Sequence, residues 1–277
     1  MSNKEEIQFQ KKRELGDIFS DSFTFIKEEI RPVMRLVIIY VLPFLLIYGI
    51  LQAHLQTKMI GKLDLSDTET MLANIGPFYL NLILISLFSL FVQSLLAGTY
   101  YTYIEAYVKK GKGNFHHDEI TPTLFSNTLL ALGANIFLFI VVLLGLMMCI
   151  LPGIYLANSL SLVLMVIVFE KKGISNALSR SWKLVHNQWW NTFLISILGV
   201  LMVYIAGFIS SIPLMLITVD STTETLQAAG MIDFTNWTWI FYVISAIVSS
   251  LFYIVPYTFL AFQYFNLDER NPSISQD

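Results

Sequence analysis

Long apolar runs separated by short polar connections fill most of the chain. Six of them can be placed, at residues 33–53, 77–103, 125–150, 153–169, 191–217 and 237–264. A helix needs about 20 mainly apolar residues to cross the hydrocarbon core of a bilayer, and each run is close to that length. The pattern therefore predicts an all-α polytopic protein with six transmembrane helices, whose membrane domain spans residues 33–264.

The third and fourth runs form the longest uncharged part of the chain. No Asp, Glu, Lys or Arg occurs in the fifty residues from Ile120 to Phe169, and only the sequence LPG separates the two runs. Proline and glycine end helices and allow a tight reversal. We therefore predict a hairpin of two spans that turns at Pro152 and Gly153, with a short fourth span.

A polar segment with helical periodicity follows the fourth span. Between residues 174 and 189, apolar positions recur at helical spacing, and the opposite stripe consists of Asn176, Arg180, Lys183 and Asn187. Basic residues on one face and tryptophan on the other are typical of a helix that lies in the membrane interface. We predict such an interfacial amphipathic helix at 174–189. The residues expected to give it a function are Arg180, Ser181, Trp182 and Lys183.

The N-terminal segment, residues 1–32, contains a similar pattern at 14–30, which predicts a second interfacial helix. A shift of 159 residues superposes the two stripes, brings spans 1 and 2 onto spans 5 and 6, and aligns Thr99 with Thr258. We predict an internal parallel repeat, related by an axis along the membrane normal. The alternative is that two unrelated amphipathic helices have been slid into register, since identities between the copies are few.

Composition and charge add a class and an orientation. Of 277 residues, 55% are hydrophobic and 13% charged, with a mean hydropathy of +0.64; soluble domains average about 25% charged residues. Fifteen lysines and arginines lie on one side of the six spans, and only Lys58 and Lys62 on the other. By the positive-inside rule both termini, including the tail 265–277, are expected in the cytoplasm. We expect a plasma-membrane protein, and no cleavable signal peptide, because both charge signs precede the first span.

Small residues predict how two of the spans pack. The fifth span carries Ala206, Gly207, Ser210 and Ser211, and the sixth carries Ser245, Ala246, Ser249 and Ser250, in pairs four residues apart. Such residues let helix backbones approach closely in a membrane. The predicted contact residues are Gly207, Ser211, Ser245 and Ser249.

Three stretches of sequence resemble a bacterial family of uncharacterised six-span proteins. They are LPGIYL (151–156), Glu170 and Gly173 leading into ALSRSWKLV (177–185), and AFQYFNLDE (261–269). The family includes the YciC-like proteins and the membrane domain attached to some glycerophosphodiester phosphodiesterases. The resemblance covers nearly the whole chain and implies a multi-helix membrane module. It carries over no phosphodiesterase activity, because those members have a soluble catalytic domain after the membrane part and only 13 residues follow Tyr264 here.

Few residues are candidates for chemistry. The cluster HHDE (His116 to Glu119) favours a solvated loop over a metal site, since four adjacent side chains do not surround one ion. Cys149 is the single cysteine, which gives no disulfide framework. The candidate intramembrane polar residues are Glu105, Asn135 and Asn158. Each has two interpretations: a place on a transport path, or ordinary snorkelling and bonding between helices.

No catalytic motif accompanies the serines and histidines, so we expect no enzyme and no cofactor. The favoured function is a non-enzymatic membrane module, a scaffold or accessory subunit that organises a partner or lipids at the cytoplasmic leaflet. The expected partners are the lipid bilayer and a membrane or cytoplasmic protein, and not nucleic acid. The alternative is a transporter or channel for a small solute, lipid or ion, which the predicted repeat and the prolines within spans, Pro43, Pro213 and Pro256, would support.

Overall fold

The protein is helical throughout the part that the structure, a computed structural model, describes: residues 6–55, 68–115, 117–220 and 235–272. The helices are α1 Leu15–Leu36, α2 Leu42–His54, α3 Thr68–Lys110, α4 His117–Met148, α5 Ile150–Ser159, α6 Val163–Glu170, α7 Ile174–His186, α8 Trp189–Asp220, α9 Thr235–Leu251 and α10 Ile254–Arg270. A π-helical turn, Val37–Val41, joins α1 to α2. No strand occurs in these ranges. His116 of the HHDE cluster lies outside the described residues.

Six helical segments are long and apolar enough to cross a membrane, which confirms the predicted all-α polytopic fold. They are Leu15–His54, Ile75–Lys110, Glu119–Met147, Ile150–Glu170, Trp189–Pro213 and Trp239–Arg270. Many of their large apolar side chains are exposed, among them Tyr204 and Phe208. Such exposure suits helices whose outer surface meets acyl chains instead of water. The chain is a multi-pass membrane protein.

The chain divides into two compact units. The first comprises Met1–Tyr40, Gln93–Met202 and Tyr253–Asp277, and the second comprises Val41–Val92 and Val203–Phe252. The first unit contains α1, α4 to α7 and α10, together with the C-terminal part of α3 and the N-terminal part of α8. The second contains α2, α9 and the remaining parts of α3 and α8.

Helix α6 lies in the core of the first unit. All six residues from Val163 to Val168 are buried, as expected of a helix that is hydrophobic on every side. The predicted fourth span, 153–169, is present within Ile150–Glu170, but its helix is interrupted, because α5 ends at Ser159 and a turn separates it from α6. Hydropathy alone does not detect this break, since the turn residues Leu160, Ser161 and Leu162 continue the apolar run.

The reversal between the third and fourth spans lies earlier than predicted. Cys149 has extended backbone angles (φ −172°, ψ 150°) and separates α4 from α5, whereas Pro152 and Gly153 lie inside α5. The predicted turn at Pro152 and Gly153 is therefore wrong. Proline is tolerated in the first turn of a helix, because the N–H that it lacks would have no helical partner there.

Gly153 brings α5 close to α4. A Cβ atom on Gly153 would lie 2.6 Å from Leu146 Cγ and 2.8 Å from its backbone nitrogen, and one on Gly145 would lie 3.0 Å from the Gly153 Cα. These distances are shorter than van der Waals contact, so the hairpin depends on glycine for close packing and not for a turn.

We expect Gly153→Ala to lower the free energy of unfolding by about 1–3 kcal/mol, because the added methyl group overpacks the contact with α4. Unfolding of the purified protein in detergent measures the change. Gly76→Ala is the matched control: nothing lies within 4 Å of the Cβ position there, and alanine favours a helix. Equal stability of the two variants would contradict close packing at Gly153.

The predicted N-terminal helix, 14–30, forms but does not end at residue 30. Helix α1 continues to Leu36 and into the π-helical turn. Ile18 and Ser22 of the predicted apolar stripe are buried, but Phe23 of that stripe is 45% exposed, while Phe25 and Glu29 outside it are buried. The reason is that Glu29 finds partners on α3, as described below, so a polar residue occupies the interior face and an aromatic ring faces outward.

In the second unit, the small residues of α8 and α9 meet as predicted for spans 5 and 6. The Ser210 hydroxyl lies 3.1 Å from that of Ser245 and 3.5 Å from that of Ser249, and a Cβ on Gly207 would lie 3.5 Å from Ser249 Oγ. Ser211 differs from the prediction, since its hydroxyl donates to the Phe208 carbonyl of its own helix.

Candidate functional site

Helix α7 is fixed to the first unit by a buried arginine. Arg180 is 4% exposed; its Nε donates to Glu170 Oε1 at 3.0 Å and its Nη2 to Asp268 Oδ1 at 2.5 Å. The Tyr264 hydroxyl donates to the same Glu170 oxygen at 2.9 Å. The prediction that Arg180 lies on the solvated stripe is therefore wrong, because carboxylates at the ends of α6 and α10 draw it inward. We call these four residues the arginine anchor.

The other three predicted residues of this helix divide between its two faces. Ser181 is fully buried, and its hydroxyl donates to the Ser159 carbonyl at 2.9 Å. Trp182 is 36% exposed and contacts Tyr155 edge to face, with ring centroids 5.4 Å apart. Lys183 is exposed. Arg180 and Ser181 therefore fix α7 to the first unit, whereas Trp182 and Lys183 lie on the exposed face of the helix.

Glu105 of α3 pairs with the residue that ends α6. Its carboxylate is 7% exposed and pairs at 2.8 Å with both Lys109 of α3 and Lys171. Lys171 ends α6 in a left-handed conformation (φ 57°), which is common at helix C-termini. Its Nζ also donates to Asn127 of α4 at 3.3 Å. The turn between α6 and α7 is thus tied to α3 and α4.

Asn135 and Asn158 make separate bonds between helices. The Asn135 amide donates to Ser94 Oγ at 2.8 Å. Asn158 donates to the Trp189 carbonyl at 3.1 Å and accepts from Ser196 at 3.3 Å. The bonding partners that the structure shows for Asn135, Asn158 and Glu105 are all different.

Residues 6–14, the N-terminal strap, pack across the helix ends and were not predicted. Phe9 is 3% exposed and stacks on Phe262, with centroids 4.3 Å apart. Arg13 is equally buried; its guanidinium lies over the Phe262 ring at 4.7 Å and donates to Asp21 at 2.8 Å. Its backbone N–H donates to Asn266 at 2.8 Å. Mixed charge and a single aromatic residue gave the sequence no periodic signal for this packing.

A second cluster joins the strap to α1 and α3. Lys112 Nζ lies 2.7 Å from Glu28 and 2.8 Å from Glu29, and its backbone N–H donates to Glu6 at 2.8 Å. Desolvation of the Lys112 ammonium lowers its pKa, but the bonds to the two glutamates outweigh this effect, so the pKa is raised above its ordinary value. The Tyr103 hydroxyl also donates to Glu29, at 2.5 Å.

In the clusters around Arg180, Glu105, Arg13 and Lys112, charged side chains are paired with opposite charges, as expected of buried charges that stabilise a fold. Among the described residues, no three His, Cys, Asp or Glu side chains are placed to hold a metal ion.

The comparisons with known proteins point to one family. A family model described as "Domain of unknown function (DUF7847)" matches residues 32–267. No curated protein and no solved structure matches the chain. The matched region includes Glu170, Arg180 and Tyr264 of the arginine anchor and ends one residue before Asp268, whereas the N-terminal strap lies outside it.

Proposed function

We propose a function from the chain's own residues, because the chain belongs to the DUF7847 family and no function is known for that family. The protein is a non-enzymatic integral membrane module, a scaffold or accessory subunit that organises a protein partner or lipids at the cytoplasmic leaflet. The observation that carries the proposal is the division of α7 into the buried Arg180 and Ser181 and the outward Trp182 and Lys183.

A fixed helix is what a docking surface needs. Because Arg180 is held by two carboxylates from different helices, α7 loses little further conformational freedom when a partner binds. Exposed tryptophan supplies a large contact area and is enriched among residues that dominate binding energy. An adjacent lysine adds attraction to anionic groups of a partner or of the membrane.

The asymmetry of charge supports the cytoplasmic placement of this surface. Fifteen of the 17 lysines and arginines belong to the termini and to the connections that carry α7 and Lys112. The positive-inside rule favours the cytoplasm for that side. The proposed location is the bacterial cytoplasmic membrane, with both termini inside.

Burial in α1 and α7 supports the proposed internal repeat. At the shift of 159 residues, Ile18 aligns with Ala177, Ser22 with Ser181 and Phe25 with Leu184, and all six residues are buried. Thr99 and Thr258, which align at the same shift, are buried as well. Helices slid into register by apolar pattern alone need not share a buried hydroxyl, yet one shift aligns a buried pair in α1 and α7 and another in α3 and α10.

Crosslinking in the native membrane, followed by purification in mild detergent and mass spectrometry, tests the scaffold function. We expect a recurrent protein partner whose affinity falls about 30-fold in Trp182→Ala, the loss typical of a residue that dominates an interface (~2 kcal/mol). Trp239→Ala is the matched control, since Trp239 is also exposed, at 45%, and belongs to a different helix.

Two results would count against the scaffold. One is a partner that the Trp182→Ala variant retains in full while the protein stays folded. The other is solute flux in proteoliposomes that depends on Glu105, which would favour the transporter.

A further inference from the structure

An open groove of about 970 Å³ lies beside the beginning of α5 and the junction of α7 with α8. This volume is near the upper end of the range of about 300–1,000 Å³ for small-molecule sites. One side is apolar and consists of Leu151, Pro152 and Ile154. Leu151 is 75% exposed and its neighbour Ile150 67%. Because these residues belong to a membrane-spanning segment, the groove is continuous with a surface that acyl chains cover.

An aromatic stack forms the base of the groove and is already in place. The Trp189 ring stacks between Tyr155 and Phe193, with centroid distances of 5.5 and 5.1 Å. Its indole N–H donates to Ser159 at 3.2 Å, and its carbonyl accepts from Asn158 at 3.1 Å. A site whose side chains are fixed before binding does not lose their conformational entropy when a ligand arrives.

The remaining side is polar and consists of His186, Asn187, Gln188 and Asn191. The Asn191 amide donates to the Gln188 side-chain oxygen. This bond leaves the Gln188 N–H groups and the Asn191 oxygen available to a ligand. No Asp, Glu, Lys or Arg is among the described residues that line the groove. The amide groups can bind both a phosphate and an ammonium group, but no lysine or arginine among the described lining residues balances the net negative charge of an anionic headgroup.

We propose that the groove binds one glycerophospholipid of the surrounding bilayer. An acyl chain lies against Leu151 and Ile154, and a headgroup of zero net charge lies against Gln188 and Asn191. The proposal rests on the part of the proposed function that concerns lipids, and it names the class of lipid and its binding site. A test with purified protein and lipid is independent of any protein partner, so either idea can fail without the other.

Native mass spectrometry of protein extracted from nanodiscs, made with equal amounts of phosphatidylethanolamine and phosphatidylglycerol, provides the test. We expect one retained phospholipid, with phosphatidylethanolamine favoured by about threefold or more, the value of one additional hydrogen bond. Leu151→Trp fills the groove and should abolish retention. Leu201→Trp is the matched control, because Leu201 is 51% exposed on α8 and lies outside the groove.

Equal lipid retention by the native protein and Leu151→Trp would overturn the proposal, since the lipid would then belong to the general annulus. Preferential retention of phosphatidylglycerol, or a groove occupied by a second copy of the chain, would overturn it too. A phosphatidylethanolamine with a photoreactive acyl chain tests the native protein without any substitution. Its adducts should concentrate in residues 150–155 and 186–193, and an even distribution over all exposed helices would refute the site.

Discussion

Arg180→Ala should lower the free energy of unfolding by about 3 kcal/mol, the effect of removing one partner from a buried ion pair. The substitution removes the cation between the Glu170 and Asp268 carboxylates, at a position where the Arg180 side chain is 4% exposed. Glu170 retains bonds to Tyr264 and Lys172, but Asp268 loses the partner that offsets its partial burial. Unfolding in detergent, followed by circular dichroism, gives the midpoint and the free energy.

Two further variants define what the anchor requires. Lys183→Ala, on the exposed face of the same helix, should change stability by less than about 0.5 kcal/mol. Arg180→Lys should recover only part of the loss, because an ammonium cannot donate along two fixed directions as a guanidinium does. Full recovery by lysine, or an equal loss in Lys183→Ala, would show that α7 is not held by this geometry.

Phe9→Ala is expected to cost about 3 kcal/mol, the lower end for removing a buried phenylalanine side chain. The ring is 3% exposed and contacts Phe25, Tyr107, Phe262 and Phe265. Hydrogen exchange of residues 6–14 should increase together with the loss of stability, since Phe9 is the one buried apolar side chain among these residues. The control is Phe208→Ala, because the Phe208 ring is 66% exposed. Unchanged exchange in the strap would contradict its packing.

The spans were predictable because a bilayer imposes a length and an apolar composition on any helix that crosses it. The pattern in α7 was predictable to the same extent: periodic spacing identifies which residues share a face. It does not reveal what that face contacts. Arg180 looked solvated because the carboxylate of Asp268, 88 positions later, comes beside it only in the folded chain.

Pro152 and Gly153 show a second limit of local sequence rules. Both residues are common in turns, so a turn was the reasonable interpretation. The same residues also suit a helix at particular places, proline in its first turn and glycine where another helix passes within contact distance. Which of these applies depends on α4, and Leu146 lies too near for any Cβ on Gly153.

The N-terminal strap has a consequence for how the protein is made. Arg13 donates to Asn266, and Arg270 in turn donates to the Arg13 carbonyl at 2.7 Å. Because these partners are more than 250 residues apart, Arg13 leaves the ribosome long before Asn266 and Arg270 are synthesised. The contacts of the strap with α10 therefore form only after α10 has been synthesised, and until then Phe9 and Arg13 lack their partners on that helix.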